Sequence, residues 1–226
     1  MSKVEQPRKK RIGVLISGTG SNMKVLAQAC QQDDYPAKVC LVISDKPDVK
    51  GLDTAREMGI DARAISRKEY ASKAEHEAAI LSALNDADLD YVCLAGFMRI
   101  LSGDFINKWE GKLINIHPSL LPLFPGLHTH DRAIEAGCKV HGCTVHFVTE
   151  GMDEGPIIGQ AVVPIMPNDT ADSLAARVLK TEHMLYPHAL KLLASGKVRM
   201  SSDEKTEFLV ADGVEALGDE TQYLMS

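Results

Sequence analysis

Asn115 and His117 stand two positions apart in the run Leu113-Ile114-Asn115-Ile116-His117-Pro118. In an extended chain the side chains alternate faces, so the amide and the imidazole project to one side while Ile114 and Ile116 project to the other. Pro118 favours an extended His117 and ends the strand there. The polar pair is thus placed where an apolar strand stops, the end at which open parallel sheets hold their ligands. An asparagine amide can donate to a developing oxyanion, and a histidine can give or take a proton near neutral pH. A lone histidine would as readily satisfy backbone groups in the turns that follow, so its neighbours decide.

The segment Thr149-Glu150-Gly151-Met152-Asp153-Glu154-Gly155-Pro156 is an acidic, glycine-bearing loop that follows a strand expected beside Asn115 and His117. A carboxylate brought to His117 favours the imidazolium and makes it a proton donor, and Asp153 is the candidate. Within the preceding strand, Cys143 to Val148, Thr144 and His146 alternate with Val145 and Phe147 as a half-buried strand would, which leaves His146 as a sheet residue facing solvent. Arg67 and Arg99 each follow a predicted strand, and Met98, Ile100 and Leu101 around Arg99 suit a flat apolar pocket whose main-chain groups could bind a heterocycle. His128, His130 and His141 match no metal-ligand spacing, so no metal is expected.

A second site is written into the start of the chain. The apolar run Ile12 to Ser17 ends in Ser17-Gly18-Thr19-Gly20-Ser21-Asn22, and Lys24 to Gln32 continues with helical spacing. Strand, glycine turn and helix expose backbone N–H groups at a positive helix end, which suits phosphate. Gly18 and Gly20 supply the first two glycines of a dinucleotide fingerprint, and Asp45 could pass for its ribose-binding acid, but Met23 occupies the third glycine position and would obstruct close helix packing. The broken fingerprint favours a monophosphate. Far along the chain, Glu182 falls inside the apolar stripe Ala175, Val178, Leu179, Leu185 and Tyr186 of a helix expected from Thr170 to Ser195. A carboxylate there needs a cation, or the amine or hydroxyls of a ligand.

The elements that must position these groups alternate. Val39 to Ser44, Ala62 to Ile65, Tyr91 to Ala95 and Ile157 to Pro164 read as further strands. Gly51 to Met58, Lys68 to Leu84 with Ala74, Ala78, Leu81 and Leu84 inward, and Asp131 to Ala136 read as helices. Such alternation implies an α/β fold, an open, mostly parallel, doubly wound sheet covered on both faces, in a single domain over residues 12–200. Residues 1–11 are expected to be a disordered basic tail and not a secretory signal, and residues 201–226 an irregular tail or small hairpin. The 226 residues are 45% hydrophobic and 25% charged, as in a soluble globular protein. The net charge of −6 argues against a nucleic-acid surface, and no apolar run approaches the roughly 20 residues that cross a membrane. Five cysteines without a Cys-x-x-Cys pair suggest a reduced, cytoplasmic protein.

Taken together, Ile-Ser-Gly-Thr-Gly-Ser-Asn at 16–22, Leu-Ala-Gly-Phe-Met-Arg-Ile-Leu at 94–101, Asn-Ile-His-Pro-Ser-Leu-Leu-Pro at 115–122 and Pro-Gly-Leu-His-Thr-His at 125–130 resemble the phosphoribosylglycinamide formyltransferases, folate-dependent enzymes of purine synthesis. The resemblance implies a Rossmann-like formyltransferase fold. It implies transfer of a formyl group from 10-formyltetrahydrofolate, as co-substrate and without a metal, to the amine of glycinamide ribonucleotide. It implies that Gly20, Ser21 and Asn22 hold the ribose phosphate, that Glu182 binds the ribose hydroxyls or the amine end, and that Arg67, Met98, Arg99, Ile100, Leu101 and Asn115 contact the folate. Thr149, Glu150, Gly151, Met152 and Asp153 would close on the pterin, with Asn115, His117 and Asp153 as the catalytic group. The partners implied are these small molecules, with a monomer or homodimer as the assembly. Two alternatives stand. A formyltetrahydrofolate hydrolase would use the same trio on water, but usually carries an extra N-terminal regulatory domain for which the expected tail of residues 1–11 leaves no room. A non-catalytic folate-binding protein would not need His117.

Overall fold

The apolar runs assemble into one sheet with both faces buried. The computed structural model describes residues 8–209; residues 1–7 and 210–226, the greater part of the two expected tails, lie outside the described residues. The strands are β1 (Lys10–Ile16), β2 (Ala37–Ser44), β3 (Asp61–Ala64), β4 (Tyr91–Leu94), β5 (Leu113–His117), β6 (Val140–Phe147) and β7 (Ile157–Pro164). The helices are α1 (Ser21–Cys30), α2 (Lys50–Glu57), α3 (Lys73–Asp86), α4 (Gly103–Lys108), α5 (Thr129–Glu135) and α6 (Ala171–Ala194). The sheet has seven strands in the order β3-β2-β1-β4-β5-β6-β7. It is parallel from β3 to β5, and β6 and β7 are added antiparallel. This is the mostly parallel α/β sheet that the alternation of elements predicts. A separate hairpin, β8 (Val198–Met200) paired with β9 (Thr206–Phe208), spans the expected domain boundary at residue 200.

Strand β1 explains why the apolar runs are continuous. Its Ile12, Val14 and Ile16 enter the core that Leu26 of α1 and Leu185 of α6 complete. Leu15 enters the opposite core, with Ile80 of α3 and Phe105 of α4. A strand sandwiched in this way has no solvent face to mark with polar residues. Helix α6 is entered through a capping box, Thr170 with Ser173, and its buried Tyr186 ties two central strands together. The single hydroxyl hydrogen of Tyr186 is shared between the Leu94 and Ile114 carbonyls, at 3.0 and 3.2 Å.

One expectation about an element and three about burial are corrected. The segment from Lys68 to Leu84 is not one helix: a 3-10 turn over Arg67–Glu69 precedes α3, and Ser72 caps α3 by accepting from the Glu75 N–H at 3.1 Å. In α3, Ala74 and Ala78 are exposed, whereas His76 and Glu77 are buried because other segments supply their hydrogen-bond partners. Leu179 lies on the exposed side of α6. Strand β6 is not half-buried: Thr144 and His146 are as hidden as Val145 and Phe147. The proline loop after β5 covers that face, with the Thr144 hydroxyl donating to the Ser119 carbonyl at 2.6 Å and accepting from the Leu121 N–H at 3.0 Å.

Candidate active site

The crevice lies beyond the carboxyl ends of β1, β4 and β5, where the order of strands reverses direction about β1. At its centre stands His117, 7% exposed. Its Nε2 lies 3.1 Å from the Phe124 carbonyl and therefore carries a hydrogen that it donates. Its Nδ1 lies 3.5 Å from Asp153 Oδ2, an ion-pair distance longer than a hydrogen bond. Asp153 Oδ2 also accepts from the Gly126 N–H at 2.8 Å, so one carboxylate joins the proline loop to the acidic loop. Asp153 adopts a left-handed backbone, φ 56°, uncommon for a residue with a side chain and characteristic of sites where geometry is over-determined by surroundings.

His146 completes this centre, and reading the chain as a half-buried strand missed it. It is 2% exposed and pairs directly with Asn115 across the antiparallel register of β5 and β6. Its Nδ1 donates to the Phe147 carbonyl at 2.7 Å, which leaves Nε2 as an acceptor for the Asn115 amide at 3.2 Å. Burial lowers the pKa of His146, against opposing contributions from the Phe147 carbonyl and from Asp153, whose Oδ1 is 3.9 Å away. A neutral ring in this tautomer turns the Asn115 Nδ2 toward itself and leaves the second hydrogen of that amide uncommitted. The available signal was the sequence alternation that puts His146 on one face with Thr144.

Two strands from β5, at the end of β1, is the glycine turn. Gly20 caps α1 in a left-handed conformation, φ 70°, and a Cβ there would come within 2.9 Å of the Gly51 Cα, so neither the turn nor its contact with α2 tolerates a side chain. Ser21 and Asn22 open α1. Asn22 Nδ2 donates to Glu182 Oε2 at 2.7 Å, across 160 residues of sequence. Burial raises the Glu182 pKa, and the hydrogen bond from Asn22 opposes it. Asn22 Oδ1 is buried without a protein partner. The buried carboxylate thus finds part of its compensation within the protein, from an amide in the turn itself.

At the end of β4, between these two strands, is a cleft of roughly 340 Å³ lined by Arg67, Phe97, Met98, Arg99, Ile100 and Leu101, with Lys73, His76, Glu77 and Ile80 of α3 behind them. Met98 and Ile100 are 64% and 72% exposed, whereas Leu101 is buried. Arg67 Nη1 donates to the Tyr70 carbonyl at 2.7 Å. The Met98 N–H donates to the Ser17 hydroxyl at 2.8 Å, which joins this cleft to the glycine turn. Arg99 Nε donates to Asp45 Oδ2 at 2.7 Å. Asp45 is thereby a buried partner of the cleft arginine through Oδ2, while its Oδ1 is buried without a protein partner. Not every residue of the acidic loop faces this cleft: Thr149, Glu150 and Gly151 line a separate polar recess with Asn107 and Glu110, and Asn107 Nδ2 donates to Glu150 Oε1 at 3.3 Å. Met152 is exposed. His130 and His141 approach to 5.2 Å between ring centroids.

A doubly wound sheet whose crevice holds an amide, an imidazole and a carboxylate beside an apolar cleft and a glycine turn defines the class. Residues 10–190 match the formyl transferase family, and the chain belongs to it. Within that family it groups with the phosphoribosylglycinamide formyltransferases. It is 43% identical over 194 residues to the phosphoribosylglycinamide formyltransferase of Haemophilus influenzae, covering 86% of this chain and 92% of that one. It superposes on the crystal structure of phosphoribosylglycinamide formyltransferase from Brucella melitensis with a TM-score of 0.81 and 56% identity, over 84% of this chain and 97% of that one. It is also 49% identical over 207 residues to the trifunctional purine biosynthetic protein adenosine-3 of Drosophila melanogaster; the match takes in 91% of this chain but 15% of that much longer protein.

Proposed function

We propose that this chain transfers the formyl group of 10-formyltetrahydrofolate to the amine of glycinamide ribonucleotide, in purine biosynthesis. The observation that carries the reading is a seam at neighbouring strand ends: Asn115 and His117 of β5 meet Asp153, with His117 Nδ1 3.5 Å from Asp153 Oδ2, beside the cleft at Met98 after β4, which the Met98 bond to Ser17 joins to the turn at Gly20. In this reading the backbone N–H groups of Gly20, Ser21 and Asn22 hold the phosphate at the helix end. Glu182 receives the ribose hydroxyls or the amine. Arg67, Met98, Arg99, Ile100 and Leu101 hold the folate, and the loop from Thr149 to Asp153 closes on its pterin through Met152 and Asp153, its Thr149, Glu150 and Gly151 lining the separate recess.

The amine lone pair attacks the formyl carbon, and the carbonyl pair moves onto oxygen. The free hydrogen of the Asn115 amide and an N–H of His117 donate to that oxygen, in the manner of an oxyanion hole. In protonated His117 the Nε2 N–H stays with the Phe124 carbonyl, and the Nδ1 N–H, at 3.5 Å from Asp153 Oδ2 and so not spent on it, is the one offered to the formyl oxygen. As the carbonyl re-forms, the bond from formyl carbon to N10 breaks. N10 gains a proton, and the attacking nitrogen loses one, relayed by a water that Asp153 orders. Direct attack by the substrate's own amine needs neither an enzyme nucleophile nor a metal.

Five free thiols support a reducing compartment, which we take to be the cytoplasm, and the assembly is read as a monomer or homodimer. Among the described residues no helix is long and apolar enough to cross a membrane. The decisive measurement is consumption of 10-formyltetrahydrofolate by the purified protein with and without glycinamide ribonucleotide. Consumption that requires the nucleotide, with formylated nucleotide as product, is expected. Formate release without the nucleotide would reassign the chain as a hydrolase, and folate binding without either product would make it a non-catalytic binder.

A further inference from the structure

Two neighbouring residues of α3 hold both walls of the apolar cleft, and the proposed chemistry uses neither. His76 and Glu77 are 3% and 6% exposed, an unusual degree of burial for such side chains in the first turns of a helix. His76 Nε2 donates to the Ile65 carbonyl at 2.8 Å. Ile65 lies two residues before Arg67, so this bond fixes the wall that carries the arginine. The His76 ring also packs on Tyr70, 5.5 Å between centroids, and Tyr70 offers its carbonyl to Arg67.

Glu77 does the same for the opposite wall. Its Oε1 accepts from the Ser102 N–H at 3.0 Å, and its Oε2 accepts from the Ser102 hydroxyl in a short hydrogen bond. Ser102 directly follows the Phe97 to Leu101 segment, and its hydroxyl oxygen accepts from the Phe105 N–H at 3.3 Å as the cap of α4. Lys73 Nζ, 3.7 Å from Glu77 Oε1, supplies the nearest positive charge. The segment between Gly96 and Ser102 has no regular structure of its own, and its Met98 and Ile100 side chains stand in solvent. It is held at one end by the hydrogen bond from the Met98 N–H to Ser17 and at the other by the two hydrogen bonds from Ser102 to Glu77.

We infer that the His76-Glu77 pair is a positioning device that sets the distance between the Arg67 wall and the Met98 to Leu101 wall, and so tunes affinity for the folate co-substrate and not for the nucleotide. The inference rests on the reading of this cleft as the folate site. Glu77 touches no reacting atom; it acts through Ser102. Without it, the flexible wall must be ordered at the moment of binding, which weakens the ligand that lies on that wall.

The test is steady-state kinetics and calorimetry on Glu77→Ala, Glu77→Gln and Ser102→Ala. In Glu77→Ala, KM and Kd for 10-formyltetrahydrofolate are expected to rise about tenfold, the scale of a lost hydrogen bond to a charged group. KM for glycinamide ribonucleotide, and kcat at saturating folate, should stay within about twofold, a margin that separates them from a tenfold change. Glu77→Gln keeps an acceptor for the Ser102 N–H and should restore most of the affinity. Equal rises in both KM values, or a loss of kcat alone, would overturn the inference. If Glu77→Ala does not fold, Ser102→Ala and Glu77→Gln decide by the same ratio of folate KM to nucleotide KM. A wild-type protein that binds folate but transfers no formyl group would sink the catalytic reading, while the calorimetric Kd values would still judge the pair.

Discussion

Asn22 and Glu182 meet inside the protein from two helices, whereas Met98 and Ile100 stand in solvent on one unstructured segment. The glycine-turn arm of the crevice is therefore built before any ligand arrives, from buried groups that already compensate one another. The cleft arm is a surface that becomes buried only when something apolar lies on it. A small, charged, hydrated ligand is recognised by fixed dipoles and hydrogen bonds, and a large flat one by area removed from water. Beside the arms, His117 and His146 are buried like the first, Asn115 and Asp153 are half-buried, and only Asp153 comes from a loop, which its bond to the Gly126 N–H ties to the proline loop.

The strongest way to break this comparison is at the seam. His117→Ala should lower kcat by about 10² to 10³, the cost of removing one donor to an oxyanion. Both KM values should stay close to wild type, and a change confined to KM would put His117 in one arm instead of at the reacting atoms. Next in size, Glu182→Ala leaves the buried Asn22 amide without its acceptor and removes a charged partner. Nucleotide KM should rise by about tenfold or more while folate KM holds, and a parallel rise in both would erase the division. His146→Ala frees the Asn115 amide to turn, and a loss of about tenfold in kcat is expected from one hydrogen bond's worth of orientation. Near-normal kcat there would mean that Asn115 is held by something else. Ile100→Ala, on the open arm, should raise folate KM only a few fold, roughly the value of partly burying two or three methylenes. It should leave the melting temperature unmoved, because the residue is exposed.

The smallest effect is on stability, and pH reveals it. Burial depresses the pKa of His141 from 6.5 to about 4, so between these values the unfolded chain binds a proton that the folded one refuses. Its contribution to stability is present above pH 6.5 and is lost as pH falls toward 4. Buried Glu182 works in the opposite sense: its raised pKa makes the folded state hold its proton longer, so its carboxylate costs stability as pH rises above 4.5. Melting temperature measured from pH 7.5 to 5 should fall less steeply in His141→Gln than in wild type. The opposite result would mean that His141 is charged in the folded protein.

Much of the framework could be read from the chain. The residues expected for the last strand, Ile157 to Pro164, are those of β7, and the strand ending at His117 stops where Pro118 requires. The turn at Gly20 opens a helix as expected, because glycine, serine and asparagine carry their own backbone chemistry wherever they stand. Burial of polar side chains was far less legible. Counting apolar residues on a helix face put Ala74 and Ala78 inside α3 and overlooked His76 and Glu77, whose partners, the Ile65 carbonyl and Ser102, come from other segments.

What the sequence determined by itself is local: the alternation that sets Asn115 and His117 on one face, the turn that opens α1, and the apolar periods that call for a two-layered cover. These follow from bond geometry and from side-chain spacing along a few residues. Only the tertiary structure decided that His146 would orient Asn115, that Asp45 would be taken by Arg99, and that Asp153 would reach His117. Each of those contacts joins residues far apart in the chain, and it exists because sheet order and register place two strand ends and two loops within a hydrogen bond or an ion pair of each other.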